Sequence, residues 1–440
     1  MAYTVKDILK MEVAPALGCT EPAAIALGAA SARTLLQGPD LDRIEIWVDP
    51  NIYKNAMSAS IPGAAGISGL DMAAALGALG GDPALKLEVL RPVNEQTAKI
   101  ARRFIEAGKV KVNLLRNQKG IYIRSVLKSG NDTAESVIEG VHDNLVSLIL
   151  NGTDVTEKVL LVKGSLQNTK QLADLEAWLK RLGLKELLGF IQDLDLEDLE
   201  FLEQGVQTNI RLAEFGLKNG SGMGVGRTLQ EMAHQGLLKR DMMLAARIIT
   251  SAGADARMSG VKLPAMSSAG SGNHGLTAIL PIYAVKEFVE CDQIAFLKAV
   301  CLSHLVTAYI KAHTGRLSAV CGCSVAAGAG AGAGITYLLG GDSQTIAGAV
   351  TNLIGDLAGV ICDGAKPSCA FKLSTAAGTA VQAALFAQRG VGVHSNDGII
   401  GLSFEQTSQN IGELSVHGMI ETDRAILGIM LKKQFIGDRS

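Results

Sequence analysis

This sequence has few aromatic residues, little net charge and no apolar run at its N-terminus. Only 4% of its 440 residues are aromatic although 48% are hydrophobic, so the interior must be built mainly from Ala, Val, Leu and Ile. A formal net charge of −2 and a pI of about 6.4 exclude the strongly basic surface that binds nucleic acid or acidic lipid. Lys6 and Asp7 already interrupt the first ten residues. We therefore expect a cytoplasmic protein without a secretory signal.

One uncharged run, residues 317–341, is 25 residues long and so has the length of a membrane-spanning helix. It consists mainly of Gly and Ala, and it has no aromatic belt and no basic flank apart from Arg316. Gly inside a helix costs up to about 1 kcal/mol relative to Ala, so neighbouring elements must bury such a helix to hold it. We predict a buried central helix and no contact with a membrane.

The hydrophobic periodicity changes along the chain and predicts an α+β fold. Residues 4–12 and 21–36 have helical patterns, and from about residue 206 onward the pattern is helical with glycine-rich loops. Four segments in between alternate or carry β-branched residues as strands do, and residues 117–120 have the composition of a hairpin turn between the last two of them: 43–49, 85–91, 110–116 and 120–128.

These patterns predict a mainly helical core with an inserted lobe. Residues 206–440 form the core, and residues 1–40 join it as N-terminal helices. Residues 41–165 form the α+β lobe, and residues 166–205 form a charged helical insertion.

A glycine motif, Gly270–Gly275, has the spacing G-x-G-x-x-G. No convincing strand precedes it and no βαβ unit surrounds it, so a dinucleotide site is a weak interpretation. The preferred interpretation is a turn that opens a helix over residues 276–285, and the start of a helix suits a small carboxylate or another anion.

Seven cysteines in a chain without a signal are expected to be reduced thiols rather than disulfides. Four of them lie in two Gly/Pro-flanked segments, Cys321 and Cys323 in VCGCS, Cys362 and Cys369 in CDGAKPSCA. Neither segment has the CxxC knuckles of a structural zinc site. Thiolates bind iron–sulfur clusters, and a cluster held by three cysteines leaves one iron open to a substrate. The alternative is a set of buried structural thiols.

The other three cysteines are also divided between buried structural thiols and a candidate site residue. Cys291 and Cys301 lie in ordinary helical sequence and are expected in the core. Cys19 precedes a predicted helix, where the helix N-terminus lowers a thiol's pKa and makes it a candidate ligand or nucleophile.

Four segments of this sequence resemble the bacterial and archaeal L-cysteine desulfidases, which are related to the alpha chain of iron–sulfur L-serine dehydratases. The segments are PALGCTEPAAIALGAA (15–30), SSAGSGNHG (267–275), SAVCGCSVAAG (318–328) and CDGAKPSCA (362–370). The likeness covers both ends of the chain and most of residues 206–440. Where this chain and the desulfidases have Cys19, the dehydratases carry a Ser-Ser-His-Thr-like substrate motif.

The resemblance implies a [4Fe–4S] cluster held by three cysteines. Cys321, Cys362 and Cys369 match the dehydratase ligands in order and approximate spacing, although the last interval is shorter here. Cys19 is an alternative to Cys369 as third ligand, and Cys323 is an alternative to Cys321.

The implied reaction is β-elimination, in which L-cysteine and water give pyruvate, ammonia and hydrogen sulfide. The open iron would activate the leaving thiol, and a nearby base would take the α-proton. Candidate catalytic residues are His274, His313 and Lys366, and candidate substrate-binding residues are Thr20, Ser271, Asn273 and Arg316. Each also has a structural interpretation, for example a salt bridge at a helix end for Arg316.

Three alternatives stay open. L-serine dehydration by the same cluster differs only in the leaving group. A pyridoxal-phosphate enzyme would use Lys366 to form a Schiff base. A non-catalytic thiol or metal-binding protein needs none of this chemistry. With the leading hypothesis we expect a small amino-acid substrate, no nucleic-acid partner and assembly as a homodimer.

Overall fold

Two separate apolar clusters organise the chain. A computed structural model describes residues 3–38, 40–63, 67–158 and 165–437, and it is 58% helical with 11% strand. One cluster is built mostly from helices of residues 175–411, and the other surrounds a sheet within residues 24–148. The predicted α+β fold is confirmed.

The described part of the chain contains eight strands. They are β1 Pro15–Leu17, β2 Arg43–Val48, β3 Val110–Leu114, β4 Tyr122–Ser129, β5 Asp132–Glu139, β6 Leu145–Leu150, β7 Thr153–Asp154 and β8 Pro264–Met266. Six of them form one sheet in the order β3-β2-β4-β5-β6-β7, in which only β2 and β3 run parallel. The helices are α1 Val5–Glu12, α2 Thr20–Arg33, α3 Pro50–Ala56, α4 Leu70–Gly80, α5 Glu95–Glu106, α6 Ser165–Leu179, α7 Leu184–Phe190, α8 Leu196–Asn219, α9 Val225–His234, α10 Met242–Met258, α11 Gly272–Lys286, α12 Gln293–Thr314, α13 Ala326–Leu338, α14 Ser343–Leu357, α15 Cys369–Gln388, α16 Phe404–Glu413 and α17 Ile420–Gly437.

Two local predictions in the lobe are wrong. Residues 83–88, which overlap the first half of the predicted strand 85–91, form a 3-10 helix, which Pro83 begins and the Asp82 side chain caps at the N–H of Ala84. The turn at 117–120 exists but does not make a hairpin, because β3 and β4 lie on opposite sides of β2. The helical crossover α3–α5 delivers β3 parallel to β2, and such a connection leaves no trace in the pattern of the strands themselves.

The glycine-rich helix is buried at the centre of the helical core, as predicted. Helix α13 packs against α11, α12, α14 and α15, and residues 326–336 are all buried. The segment before it, residues 317–325, forms turns instead of extending the helix and carries Cys321 and Cys323. Of the described helices, α12 is the one with the length and apolar composition of a membrane span, and 78% of its most apolar window is buried inside the protein.

Close packing of α13 on α12 makes Gly330 a sensitive position. A Cβ at Gly330 would lie 2.3 Å from Oγ1 of Thr307 and 2.4 Å from the carbonyl oxygen of Ser303. We expect Gly330→Ala to lower the free energy of unfolding by about 1–3 kcal/mol. Gly332→Ala is the matched control, because its nearest neighbours are 3.7 and 3.9 Å away and alanine is the better helix former. Urea unfolding of both variants tests this expectation, and equal stabilities would contradict it.

The N-terminal segment joins both clusters. Strand β1 pairs antiparallel with β8, which places the loop that carries Cys19 beside residues 267–271 of the helical part. Helix α2, which the sequence analysis assigned to the helical core, packs in the cluster of the lobe. Small residues on both α2 and α4 allow these two helices to pack closely. A Cβ at Gly77 of α4 would lie 2.2 Å from the carbonyl oxygen of Ala26 in α2.

Candidate active site

A short backbone pairing brings the two cysteine-rich segments together. Val320 and Ile361 form an isolated antiparallel bridge. On either side of it, the N–H of Cys321 donates to the carbonyl of Val360 at 2.8 Å, and the N–H of Cys362 donates to that of Ala319 at 2.6 Å. A cavity of about 80 Å³ lies against this pairing, and five cysteines line it: Cys19, Cys321, Cys323, Cys362 and Cys369.

Three helices begin at residues that line this cavity, and a fourth follows the turns that carry two of its cysteines. Cys19 and Ser271 are the N-cap residues of α2 and α11, and Cys369 is the first residue of α15. Cys321 and Cys323 lie in the turns just before α13. A helix N-terminus carries a partial positive charge and free N–H groups. The cavity is therefore suited to anionic groups, such as thiolates and the carboxylate of a small ligand.

The thiols in the cavity differ in protonation. The Cys321 and Cys323 thiols interact with each other, and this interaction lowers the pKa of Cys321 and raises that of Cys323. Burial raises the pKa of Cys362, and it raises the pKa of Cys369 to about 11. Cys321 is therefore the thiol best prepared to ionise. Within the described ranges, no three His, Cys, Asp or Glu side chains converge on one point as ligands of a single metal ion would.

Cys19 belongs to a buried polar group at the lobe side of the cavity. Its thiol donates to Oε2 of Glu21 at 2.9 Å, and burial followed by the charge of Glu21 raises its pKa well above the ordinary value. This departs from the expectation that the helix N-terminus lowers the pKa of Cys19, because the neighbouring carboxylate and burial outweigh the helix. Although burial opposes its charge, interactions with His142 and Cys19 lower the pKa of the Glu21 carboxyl.

His274 lies in the cavity in a fixed orientation. Nδ1 of its ring is 3.1 Å from the carbonyl oxygen of Ser268. A carbonyl only accepts hydrogen bonds, so Nδ1 carries the proton and Nε2 is left as an acceptor. Burial, with the charge of Lys311, lowers the pKa of His274 to about 3, so the ring is neutral. The hydroxyl of Ser268 is 2.9 Å from Nδ1 of a second buried histidine, His304.

Lys311 is a cavity residue that the sequence analysis missed. It lies on α12, and its side chain is buried among the cysteine segments. A Cβ at Gly322 would lie 3.2 Å from Nζ of Lys311 and 2.5 Å from Nε2 of His274, so both nitrogens face the same turn. Burial lowers the pKa of Lys311 to about 8. No hydrogen bond or ion pair of its Nζ occurs within the described part of the chain. Its sequence signal was a charge near the end of a long, mainly apolar helix.

Arg257 is a second missed residue. It lies on α10 under the start of α11, where it donates to Oδ1 of Asn273 at 2.9 Å and to the carbonyl of Gly18 at 2.6 Å. Its Nε is buried and has no partner among the described residues. Buried polar groups are nearly always hydrogen-bonded, so an unpartnered donor in a cavity indicates a ligand or water.

The predicted site residues are only partly brought together. Ser271, Asn273 and His274 line the cavity with Arg316. Arg316, however, is already paired with Glu12 at 2.6 Å and Glu176 at 2.7 Å, as its structural interpretation required.

Thr20, His313 and Lys366 do not line the cavity. Thr20 faces an adjoining cleft of about 600 Å³, which shares Arg316 with the cavity. The His313 ring packs on Tyr309 and α16, away from the cysteines. Nζ of Lys366 is held within its own loop by Asp363 and the carbonyl of Gly364. Ring packing accounts for the position of His313 and local ion pairing for that of Lys366, while the Thr20 hydroxyl donates to Oε2 of Glu21 at 3.1 Å.

Buried neutral histidines make the stability sensitive to acid. Burial lowers the pKa of His304 to about 4, whereas an unfolded histidine titrates near 6.5. As the pH falls from about 6.5 to about 4, the unfolded chain takes up a proton that the folded protein excludes. We expect this residue alone to cost up to about 1.4 kcal/mol of unfolding free energy per pH unit. Urea unfolding at several pH values should show a shallower decline for His304→Gln, and an unchanged slope would contradict the assignment.

Comparison with known proteins gives similarity along the whole chain. Residues 84–428 match the serine dehydratase alpha-chain family. The chain is 59% identical over 439 residues to a UPF0597 protein of Desulfatibacillum aliphaticivorans, with 100% of both chains covered. It is 58% identical over 433 residues to a UPF0597 protein of Desulfotalea psychrophila, covering 98% of this chain and 99% of the other. A UPF0597 protein of Clostridioides difficile is 44% identical over 425 residues, at 96% and 98% coverage.

Proposed function

The chain belongs to the serine dehydratase alpha-chain family, and from that premise we propose that it is an iron–sulfur lyase that degrades L-cysteine to pyruvate, ammonia and hydrogen sulfide. The observation that carries the proposal is the single cavity in which cysteines from three distant segments meet a buried lysine and a buried arginine. Serine dehydration is the second candidate, because the family is named for it.

The donor set of the cavity fits an iron–sulfur cluster. Thiolates are the ligands that such clusters require, and helix N-termini favour their ionised form. Cys321, Cys362 and Cys369 would hold a [4Fe–4S] cluster, with Cys19 and Cys323 as the alternatives. Such a cluster supplies a Lewis acid at the β-substituent of the substrate. A site for pyridoxal phosphate fits less well, because Nζ of Lys366, the lysine expected to form its Schiff base, is held within its own loop by Asp363 and the carbonyl of Gly364.

Lys311 is the best placed base for the α-proton. Its Nζ faces the cavity beside the cysteine segments, and burial favours the neutral amine that a base must provide. In this proposal the amine takes the α-proton while the Cα–Cβ double bond forms and the Cβ–S bond breaks. The products of that step are aminoacrylate and sulfide. Aminoacrylate then tautomerises to an imine, and water converts the imine to pyruvate and ammonia.

The remaining buried groups orient the substrate. Nε of Arg257 is a free donor beside the N-terminus of α11, so it is suited to the substrate carboxylate. Nε2 of His274 is an acceptor fixed by the Ser268 carbonyl. The surrounding apolar side chains of Leu317 and Val320 limit the access of water to the reacting atoms.

Parallel assays on cysteine and serine test the substrate. Protein reconstituted anaerobically with iron and sulfide is expected to release sulfide and pyruvate from L-cysteine, and little pyruvate from L-serine. The reverse preference would replace the leading assignment by serine dehydration. Anaerobically purified protein that lacks both iron and acid-labile sulfide, and takes up neither, would contradict the whole proposal.

A further inference from the structure

The charges around the cavity are unevenly distributed. Four cationic side chains line it, namely Arg257, Lys311, Arg316 and Lys372. Among the described residues that line it, Glu21 is the only carboxylate. An α-amino acid carries an ammonium group as well as a carboxylate. The cationic side chains can attract only the carboxylate. Glu21 is therefore the one fixed negative charge available to the ammonium group.

Glu21 has two differently engaged oxygens. Oε2 accepts from the Cys19 thiol at 2.9 Å and from the Thr20 hydroxyl at 3.1 Å. Oε1 accepts from Nδ2 of Asn55 at 3.1 Å and lies 3.8 Å from Nε2 of His142, too far for a direct hydrogen bond. The Oε1 side therefore has room for a further donor.

Two polar atoms beside Oε1 are buried without partners. Oδ1 of Asn55 and Nε2 of His142 have no hydrogen bond within the described residues, although Asn55 is 5% exposed and His142 is 8% exposed. Leaving such atoms unpaired is costly, so a native structure pairs them with water or a ligand. Asn55 lies on α3 and His142 follows β5, so both belong to the lobe.

We propose that Glu21, Asn55 and His142 form the subsite that receives the α-ammonium group of an amino-acid substrate. The inference rests on the proposed function, because it assumes that the cavity binds such a substrate. An ammonium group has three donors and no acceptor, which matches Glu21 Oε1, Asn55 Oδ1 and an unprotonated His142 Nε2. A substrate nitrogen that is hydrogen-bonded to both Glu21 Oε1 and His142 Nε2 would bridge these two atoms, which lie 3.8 Å apart. The lobe then recognises one end of the substrate and the helical core binds the other.

L-alanine and propionate are the probes for this subsite. They share a carbon skeleton and a carboxylate, differ in the α-ammonium group, and have no leaving group to eliminate. We expect calorimetry on the cluster-loaded wild-type protein to show L-alanine binding at least about tenfold more tightly than propionate. A hydrogen bond to a charged group contributes enough for a ratio of this size.

Glu21→Gln keeps the shape of the side chain and removes its charge. This variant is expected to lose about tenfold or more in L-alanine affinity with little change for propionate. His142→Phe should show a smaller loss of the same kind, which covers the case in which Glu21→Gln does not fold. Glu405→Gln on α16 lies outside the cavity and serves as the control, with wild-type affinities for both probes.

Three results would overturn the inference. They are wild-type protein that does not prefer L-alanine, an unchanged L-alanine affinity in Glu21→Gln, and equal losses for L-alanine and propionate, which would indicate a merely structural role. A variant that keeps L-alanine affinity but loses kcat on cysteine would make Glu21 a base instead. Failure of the lyase proposal is seen separately, as wild-type protein that binds L-alanine and turns over neither cysteine nor serine.

Discussion

Cys362→Ala is expected to yield folded protein that retains little iron or acid-labile sulfide and releases no measurable sulfide from L-cysteine. The N–H of Cys362 donates to the carbonyl of Ala319, and a second backbone hydrogen bond joins Val360 to Cys321, so Cys362 is held beside the Cys321 segment. Loss of one of three thiolate ligands removes the cluster rather than weakening it. Iron and sulfide analysis together with the visible absorption of anaerobically reconstituted protein measures the effect.

Cys301→Ala is the matched control for this experiment. Cys301 is a fully buried thiol on α12 that does not line the cavity. Its replacement should leave the iron content unchanged. If Cys362→Ala and Cys301→Ala lose iron equally, the cavity is not the cluster site.

The same measurement applied to the other thiols identifies the remaining ligands. The Cys19 thiol is hydrogen-bonded to a carboxylate oxygen of Glu21 at 2.9 Å and the pKa of Cys323 is raised well above its ordinary value, whereas the Cys369 thiol makes a long contact with the carbonyl of Gly364, at 3.7 Å. We therefore expect Cys369→Ala to lose iron. Cys19→Ala and Cys323→Ala should retain it, and the opposite pattern would make one of these two the third ligand.

Lys311→Met is expected to lower kcat on L-cysteine by about 10²–10⁴-fold, the usual contribution of a general base. Methionine fills a similar space and requires no charge in the buried cavity, so the fold and the cluster content should persist. Kinetics at saturating substrate, with iron analysis of the same sample, separate loss of the base from loss of the cluster.

Lys298→Met on the same helix is the control, because Nζ of Lys298 bonds to Gln192 at the surface. It should retain the wild-type kcat. If Lys366→Met abolishes turnover while Lys311→Met does not, the sequence-based assignment of Lys366 is the correct one.

The sequence predicted those parts of the molecule whose signals are local. The glycine-rich helix α13, the two cysteine segments and the turn before α11 were found because composition and spacing mark them within a dozen residues. Lys311 and Arg257 were missed because each is one charged residue in an otherwise ordinary helical pattern. Only the packing of α10 and α12 around the cavity makes these two residues part of a site.

Local patterns also failed wherever long-range pairing decides the outcome. Residues 85–91 alternate as a strand does, but Pro83 and the cap from Asp82 start a 3-10 helix there instead. The turn at 117–120 resembles a hairpin, yet β2 is placed between the strands that it connects. His313 is close in sequence to the cysteines, but the helix turns its ring to the opposite side.

The pairing of β1 with β8, together with the bridge between Val320 and Ile361, sets an order of events during synthesis. The Cys19 loop emerges from the ribosome early, but the strand it pairs with and the remaining cysteines are made much later. The buried residues of the lobe's apolar cluster lie within residues 24–148 and so are all made before the later cysteines. Incorporation of a cluster must therefore wait until most of the chain is complete, and until then the early thiol depends on its local partner, Glu21, to stay protonated and unreactive.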